Sequence, residues 1–404
     1  MGVLSGVRVL DLTRVVAGPW ATQVLADLGA EVIKIERPGE GDDTRRMGPF
    51  VKNADGSDSN DSAFYLACNR GKRSVTIDIS QPEGQALIHQ LAEQCDVLVE
   101  NYKVGSLARY GLDAASMRAR FPRLIYCSVT GFGSDGPYAA RPAYDFILQG
   151  LSGLMSTCGH PDGEPGAGPM RTAIPITDIV TGLYASISIL GALIQRGQTG
   201  EGQFIDAAML DSAVALNGHL ALGYLLTGKL PARIGNANPV AAPSEIYATR
   251  DGRLILAVGN NGQFSALLDA IGLNELAADP RFASNYERVR NRSAMYAALA
   301  PALLARDTAD WMERLAAVGV PCGTVNDFAG VFADPQVRHR GLQLSVPHGR
   351  GGEIPMLRSP LNLSASPVEH RAPPLLGADT RDVLRDLLGA SAERIDRLRE
   401  RQVI

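Results

Sequence analysis

VRVLDLTRVVAGPWATQVLADLGAEVIKIE, residues 7–36, reads as a strand, a helix and a second strand joined by short turns. Its two ends, VRVLDL (7–12) and EVIKIE (31–36), are β-branched runs of strand length. Between them, PWATQVLADLGA places Pro19 at the first helical position and Gly29 where a helix C-terminus favours glycine. This spacing predicts a right-handed βαβ unit and therefore parallel pairing. The pattern continues through SVTIDI (74–79), DVLVEN (96–101) and LIYCSVTGFG (124–133), so the first third is expected to build an α/β fold around a parallel sheet.

Downstream, a glycine- and proline-rich loop, CGHPDGEPGAGP (158–169), precedes two long apolar helical patterns at about 179–195 and 205–227. The composition shifts near residue 230, where turn signals and short strands lead to Gly259-Asn260-Asn261-Gly262, a loop opening another helix. Residues 265–335 read as mostly helical, 345–375 as proline-rich connection, and the remainder as short helices. A chain of 404 residues accommodates two domains or one domain inserted in another.

The bulk chemistry narrows the function classes. A net charge of -4 and a pI near 5.9 give no global reason to expect nucleic acid, although Arg37, Lys72 and Arg73 are candidates to hold a small anion. Five widely spaced cysteines without CxxC predict neither a disulfide framework nor a zinc site. The six histidines form no HxxxH or HExxH pair, so no metal is expected. The N-terminus lacks a signal-peptide pattern, and the expected location is the cytoplasm. Residues 174–195 are long enough to span a bilayer, but Asp178 there costs roughly 2.5 to 3.5 kcal/mol in hydrocarbon, which favours a buried soluble helix and no membrane.

Candidate chemistry gathers at strand ends. Glu36 closes the second strand, where a dinucleotide-binding fold places a ribose-binding acid, yet the first turn, Thr13 to Pro19, has no GxGxxG. A nicotinamide oxidoreductase or a nucleotide-binding regulator is therefore a remote alternative. Arg37 stands at the carboxyl edge of the sheet and suits a phosphate. Asp145 reads as a first-turn acid complementing a helix dipole. Asp178, in PITDIVTGLYA (175–185), reads first as a helix N-cap. The same position suits an ionised nucleophile, because free amides and the dipole favour the anion.

Taken together, the chain resembles the family III CoA-transferases, which include formyl-CoA transferase and the carnitine CoA-transferases and share a fold with α-methylacyl-CoA racemase. The resemblance rests on VLDLTRVVAGPWATQVLADLGAEVIKIERPGEGD (9–42), CNRGKRSVTIDI (68–79), DVLVENY (96–102), RLIYCSVTGFGSDGPY (123–138), PAYDFILQG (142–150), ITDIVTGLYA (176–185), TGEGQFIDAAMLD (199–211) and GVPCGTVNDF (319–328). It implies a Rossmann-like, CoA-binding large domain from residues 1–200 and 340–404, a linker helix at 201–229, and a smaller α+β domain at 230–339. Two such chains are expected to interlock as a homodimer.

The resemblance further implies that Asp178 is the catalytic carboxylate. It places CoA contacts at Val15, Arg37, Ile77, Ser80, Asn101, Tyr102 and Arg109, with Arg141 and Tyr144 added to the cofactor-binding set. Gly259, Asn260, Asn261 and Gly262 match the loop that covers the family's reacting centre. Acyl-CoA and carboxylic acid substrates are implied, with no permanently bound cofactor; small dicarboxylates and a donor such as succinyl-CoA are the expected pair. Three departures matter. Tyr144 stands where the racemases carry histidine, which favours transfer over the alternative, α-methylacyl-CoA racemisation. Val16 replaces a glutamine of formyl-CoA transferase, which argues against formate or oxalate. Asn260 and Asn261 occupy a loop centre that is all glycine in several relatives, predicting a stiffer loop or amides aimed at a polar substrate end.

Overall fold

The computed structural model describes residues 2–53 and 55–404, with Asn60 described by its backbone alone. Two compact units emerge. The larger runs to Met155 and takes in Arg171–Lys229 and Arg338–Ile404; the smaller comprises Ser156–Met170 and Leu230–Val337.

The opening βαβ unit is present as β1 (Arg8–Asp11), α1 (Ala17–Asp27) and β2 (Glu31–Glu36). There follow a hairpin of β3 (Phe50–Lys52) and β4 (Asp58–Ser62), then α2 (Ala63–Cys68), β5 (Arg73–Thr76), α3 (Pro82–Glu93), β6 (Val97–Glu100), α4 (Ala114–Arg120) and β7 (Ile125–Thr130). The short α5 (Asp145–Leu151) and α6 (Leu154–Thr157) lead to α7 (Ile176–Thr199), β8 (Phe204–Ala208), α8 (Met209–Leu216) and α9 (Gly218–Thr227). The main sheet runs β5-β2-β1-β6-β7-β8, and every neighbouring pair is parallel. The chain starts in the middle at β1, steps outward to β2 and β5, then crosses back to build β6, β7 and β8. Between β1 and β6 the winding reverses, and beyond the carboxyl ends of those strands lies the crevice where open α/β sheets bind ligands.

Both faces of this sheet are covered, as continuous apolar strands require. One face packs Leu10, Ile33, Leu98 and Tyr126 against α3, α4 and the C-terminal segment; the other packs Val9, Val32, Val97 and Val129 against α1 and α7. Gly182 makes the α1–α7 contact possible, since a Cβ there would stand 2.7 Å from the Ala17 carbonyl oxygen and 3.0 Å from the Trp20 Cβ. The buried stripe of α7 is Thr177, Thr181, Gly182, Ala185, Ser186, Ile189 and Ala192. Its opposite face, including Leu183, Tyr184, Ile187 and Ile194, is exposed. Among the described residues α7 is the helix long and apolar enough to cross a membrane, with a mean hydropathy of 1.6 over its window. The expected wholly buried helix is thus buried along one side of the chain only.

The smaller unit holds an antiparallel sheet, β11-β10-β9, built from β9 (Ser244–Ala248), β10 (Arg253–Ala257) and β11 (Cys322–Thr324). Around it lie α10 (Asn261–Ile271), α11 (Asn285–Arg290), α12 (Arg292–Leu303), α13 (Thr308–Ala317), α14 (Phe328–Ala333) and α15 (Pro335–His339), with a core of Tyr247, Leu256, Phe264, Leu299 and Trp311. The chain returns through a hairpin of β12 (Gln343–Pro347) and β13 (Glu353–Leu357), then α16 (Thr380–Leu388) and α17 (Ala392–Glu400).

Four sequence expectations change. Residues 205–208 are strand, because Phe204 to Ala208 pair with β7, so the segment 201–229 is an edge strand and two helices rather than a linker helix. The loop 158–169 belongs to the smaller unit, where the Gly235 amide donates to the Gly159 carbonyl over 3.2 Å and Arg233 pairs with Asp162. Residues 343–357 form a hairpin whose Val346, Ile354 and Met356 pack together; Pro347 and Pro355 had masked the alternation and sit where a two-stranded ribbon tolerates them. Helix α1 begins at Ala17, two residues before Pro19.

Candidate active site

The turn after β1 is held by side chains rather than by glycine. Val15 has φ +69°, a left-handed conformation that costs a β-branched residue roughly 1–2 kcal/mol. Three side chains impose it. Lys34 Nζ donates to the Thr13 carbonyl over 2.9 Å, Asn101 accepts from the Arg14 amide (2.9 Å) and donates to the Arg14 carbonyl (2.7 Å), and Asp42 accepts from the Val15 amide (3.2 Å). The Asn101 bonds span the crevice between β1 and β6, joining the two loops at the reversal point.

Below this turn lies a buried charge lattice. Lys34 pairs with Asp42 at 2.9 Å, and Lys72 pairs with Asp11 at 3.0 Å while donating to the Pro19 carbonyl and to Asn69. Burial alone would raise both carboxyls, but the two lysines and nearby hydroxyls hold Asp11 below its usual range and Asp42 down to about 2. Burial lowers Lys72 to about 8 against the pull of Asp11. Lys72 is therefore a structural cation and not the anion site its sequence cluster suggested; Arg73 likewise bridges Glu31 and Asp379. Glu36 is engaged too. It takes two bonds of 2.7 Å from Arg45, one of 2.6 Å from Ser74 and one of 2.9 Å from the Asp42 amide, which leaves it buried and without capacity for a ribose.

Asp178 is the third residue of α7, whose N-cap position is Pro175, so the expected N-cap role is corrected to a first-turn position. The amide at the head of this helix is instead satisfied from α5. Asp145 accepts from the Thr177 amide (2.8 Å) and hydroxyl (2.6 Å) and from Gln149 (2.6 Å), and Gln149 accepts from the Thr172 amide. Asp145 is thus more than a first-turn acid of its own helix; it ties the starts of two helices together. Nor is Asp178 held ionised as expected. Burial first, and then the charge of Asp145, push its pKa up to about 7, while a hydrogen bond with the Ala17 backbone pulls the other way.

Two adjoining cavities open at this edge of the sheet. The larger, about 360 Å³, is lined by Arg37, Ile77, Ser80, Tyr102 and Arg109 among others; the smaller, about 250 Å³, by Val15, Asn101, Tyr102, Arg141, Tyr144 and Asp178. Arg14, Asp43 and Tyr102 line both. All nine residues expected to contact cofactor, together with the expected nucleophile, therefore line one continuous edge at the reversal point. Their chemistry differs. Arg37 is exposed and pairs with Glu40 at 3.1 Å, Ser80 is turned onto Asp78 (2.7 Å), and Arg109 lies 4.5 Å over the Tyr110 ring. The Asn101 side chain is committed to Arg14 at both ends.

Comparison with known proteins bears on the chemistry of this edge. Residues 4–380 match the profile described as CoA-transferase family III. The chain belongs to that family.

This family III transferase is 45% identical over 386 residues to a succinate–glutarate CoA-transferase of Agrobacterium fabrum (strain C58 / ATCC 33970), covering 95% of each chain. It is 41% identical over 387 residues to a succinyl-CoA:glutarate CoA-transferase of Homo sapiens, covering 95% of this chain and 86% of that one. A solved CAIB/BAIF family protein from Brucella suis superposes with a TM-score of 0.84 at 44% identity, covering 96% of this chain and all of that one.

In the transferase's smaller unit, Gly259 to Gly262 is not a free loop. Asn260 caps α10, which begins at Asn261, by accepting from the Gln263 amide (2.9 Å), and Gln263 accepts from the Gly259 amide (2.8 Å). The Asn261 carboxamide oxygen accepts from Arg288 at 3.0 Å. Both asparagine side chains are thus committed to partners within the smaller unit. Sequence reasoning missed Lys34 and Asp42 as supports of the first turn. Lys34 hid inside a strand, where a lone cation reads as an exposed residue until burial is known. The Asp145–Thr177 pairing joins positions 32 apart, and no local pattern signals it. Among the described residues no cluster of three or more histidine, cysteine, aspartate or glutamate side chains is placed to hold a metal ion.

Proposed function

We propose that this CoA-transferase moves CoA from succinyl-CoA, or a similar short dicarboxylate thioester, to a small dicarboxylic acid such as glutarate, with Asp178 as the nucleophile. The observation that carries the reading is the placement of Asp178: a carboxylate of raised pKa beside the Ala17 backbone, in the smaller of two joined cavities. The names of the relatives above supply the substrate class. No histidine lines the cavity of Asp178 among the described residues, and Tyr144 occupies the position that a two-base racemase would need, which weighs against racemisation.

In the proposed sequence the Asp178 carboxylate attacks the donor thioester carbonyl. The C–S bond breaks, leaving a mixed anhydride and CoA thiolate. The thiolate attacks the Asp178 acyl carbon, releasing the donor acid as its carboxylate and leaving an aspartyl-CoA thioester. The acceptor carboxylate attacks that thioester to give a second anhydride, and the thiolate then attacks the acceptor's acyl carbon, restoring Asp178. One exchange becomes several easier displacements and the thioester energy is conserved. A desolvated carboxylate of raised basicity is a stronger nucleophile than a solvated one. CoA's phosphates are assigned to the larger cavity with Arg37 and Arg109, which puts the pantetheine arm past Tyr102 toward Asp178. The amides at the start of α1 are suited to stabilise oxyanions. A second copy of the chain covering the bare faces of α7 and α9 completes the proposed enzyme as a homodimer.

Incubation with succinyl-CoA followed by peptide mass spectrometry tests the nucleophile. A CoA adduct, or its hydroxylamine product, is expected on the peptide carrying Asp178. Full transferase activity in Asp178→Ala would falsify the assignment.

A further inference from the structure

The smaller cavity contains two cations that pair with no acid among the described residues, Lys103 and Arg141; Arg14, the third cation in its lining, is neutralised by Asp43 at 3.3 Å. One of the two is held in place. The Arg141 guanidinium lies 3.8 Å over the Tyr138 ring, and Tyr138 packs edge-on against Phe132 with 5.5 Å between ring centres. The Arg141 amide also donates to the Tyr138 carbonyl over 2.8 Å, closing a turn, and Pro142 follows. A guanidinium stacked on an aromatic face keeps its in-plane N–H fork free, the geometry that meets a carboxylate with two parallel bonds.

We propose that Arg141 binds the distal carboxylate of the dicarboxylic acyl group, and so selects dicarboxylates over monocarboxylates. The inference rests on the CoA-transfer reading above and adds to it the side chain that reads the substrate. The spacing fits. A cation serving the far end of a short diacid must line the same cavity as the nucleophile without pairing with it. Arg141 shares the cavity of Asp178, and no ion pair joins the two. The resemblance assigns Arg141 to CoA; it lines the cavity of Asp178 and not the larger one. Because donor acid and acceptor acid occupy the same position in alternate halves of the exchange, one arginine serves both.

The test compares glutarate with pentanoate, acids of equal carbon number differing by one carboxylate, as acceptors from succinyl-CoA. The ratio of their kcat/KM values is expected to fall roughly 10- to 100-fold in Arg141→Leu, the loss of one charge-assisted pairing. The KM for succinyl-CoA should rise in the same variant, and Arg141→Lys should recover part of the ratio. A ratio unchanged in Arg141→Leu while the wild-type enzyme transfers CoA overturns this inference alone. A wild-type enzyme that moves CoA from succinyl-CoA to no acid overturns the transfer reading instead. If Lys103→Met collapses the ratio and Arg141→Leu does not, the assignment to Arg141 is wrong. Circular dichroism of each variant separates loss of selectivity from loss of fold.

Discussion

Asp178 carries a cost that its position explains. Its carboxyl, at 3.8 in the unfolded reference, titrates at about 7 in the fold, first because it is buried and then because Asp145 is near. The folded state binds the extra proton between these two values, so its contribution to stability is greatest below about pH 4 and is lost as pH rises through 7. Asp178→Asn is therefore expected to abolish transfer while stabilising the protein at pH 8 by about 1–3 kcal/mol, a gain that shrinks toward pH 4; urea unfolding at both values measures it. The same pKa predicts that kcat/KM rises with pH through about 7, as the nucleophile ionises. Asp145→Asn removes the second cause of the shift and should move that inflection down by roughly one pH unit, because less charge opposes ionisation. An inflection that stays in place in Asp145→Asn would show that burial alone sets it. Asp178 as the candidate nucleophile was legible from its motif. Its protonation was not, because the sequence placed it as a helix N-cap where free amides favour the anion, whereas the fold places it beside a second carboxylate.

At the scale of elements, the contact between α1 and α7 decides whether the Ala17 backbone reaches Asp178. Gly182, one turn beyond Asp178, lets the two helices approach, and Ser186, a further turn on, donates to the Ala21 carbonyl over 3.1 Å. A Gly182→Val side chain meets backbone at 2.7 Å and must push the helices apart. It is expected to cost about 1–3 kcal/mol of stability and to lower kcat more than it raises KM, read from denaturant melts and steady-state kinetics. Strands β1, β2, β5, β6 and β7 were legible because a sheet buried on both faces demands continuous β-branched runs, whereas the separate β3–β4 hairpin carries no such run. Strand β8 was not legible. FIDAA is short and alanine-rich, and it runs directly into the apolar helix α8, so its periodicity reads equally as helix. Pairing with β7 resolved it.

For the whole molecule, the bare apolar surface is the largest unexplained feature of the single chain. Ile187 is 61% exposed on α7, and Leu225 and Leu226 on α9 are each 77% exposed. Apolar faces of this kind mark association surfaces. A homodimer that covers them is expected by analytical ultracentrifugation at micromolar concentration. Ile187→Glu or Leu225→Glu should weaken the dimer and lower activity together, since α7 carries Asp178; a monomeric wild-type chain with full activity sinks the idea. The sequence alone determined the α/β class and the family, and it singled out Asp178 as the candidate nucleophile. These rest on local periodicity and on motifs whose residues lie close together along the chain. Only the tertiary structure decided how Val15 is held in a left-handed turn by Lys34, Asp42 and Asn101, why Glu36 and Lys72 are committed to internal partners, and which cations in the cavity of Asp178 stay unpaired among the described residues. Each of these depends on charges brought together from distant positions and removed from water, and burial, which sets the strength of every such pairing, is a property of the fold and not of any segment.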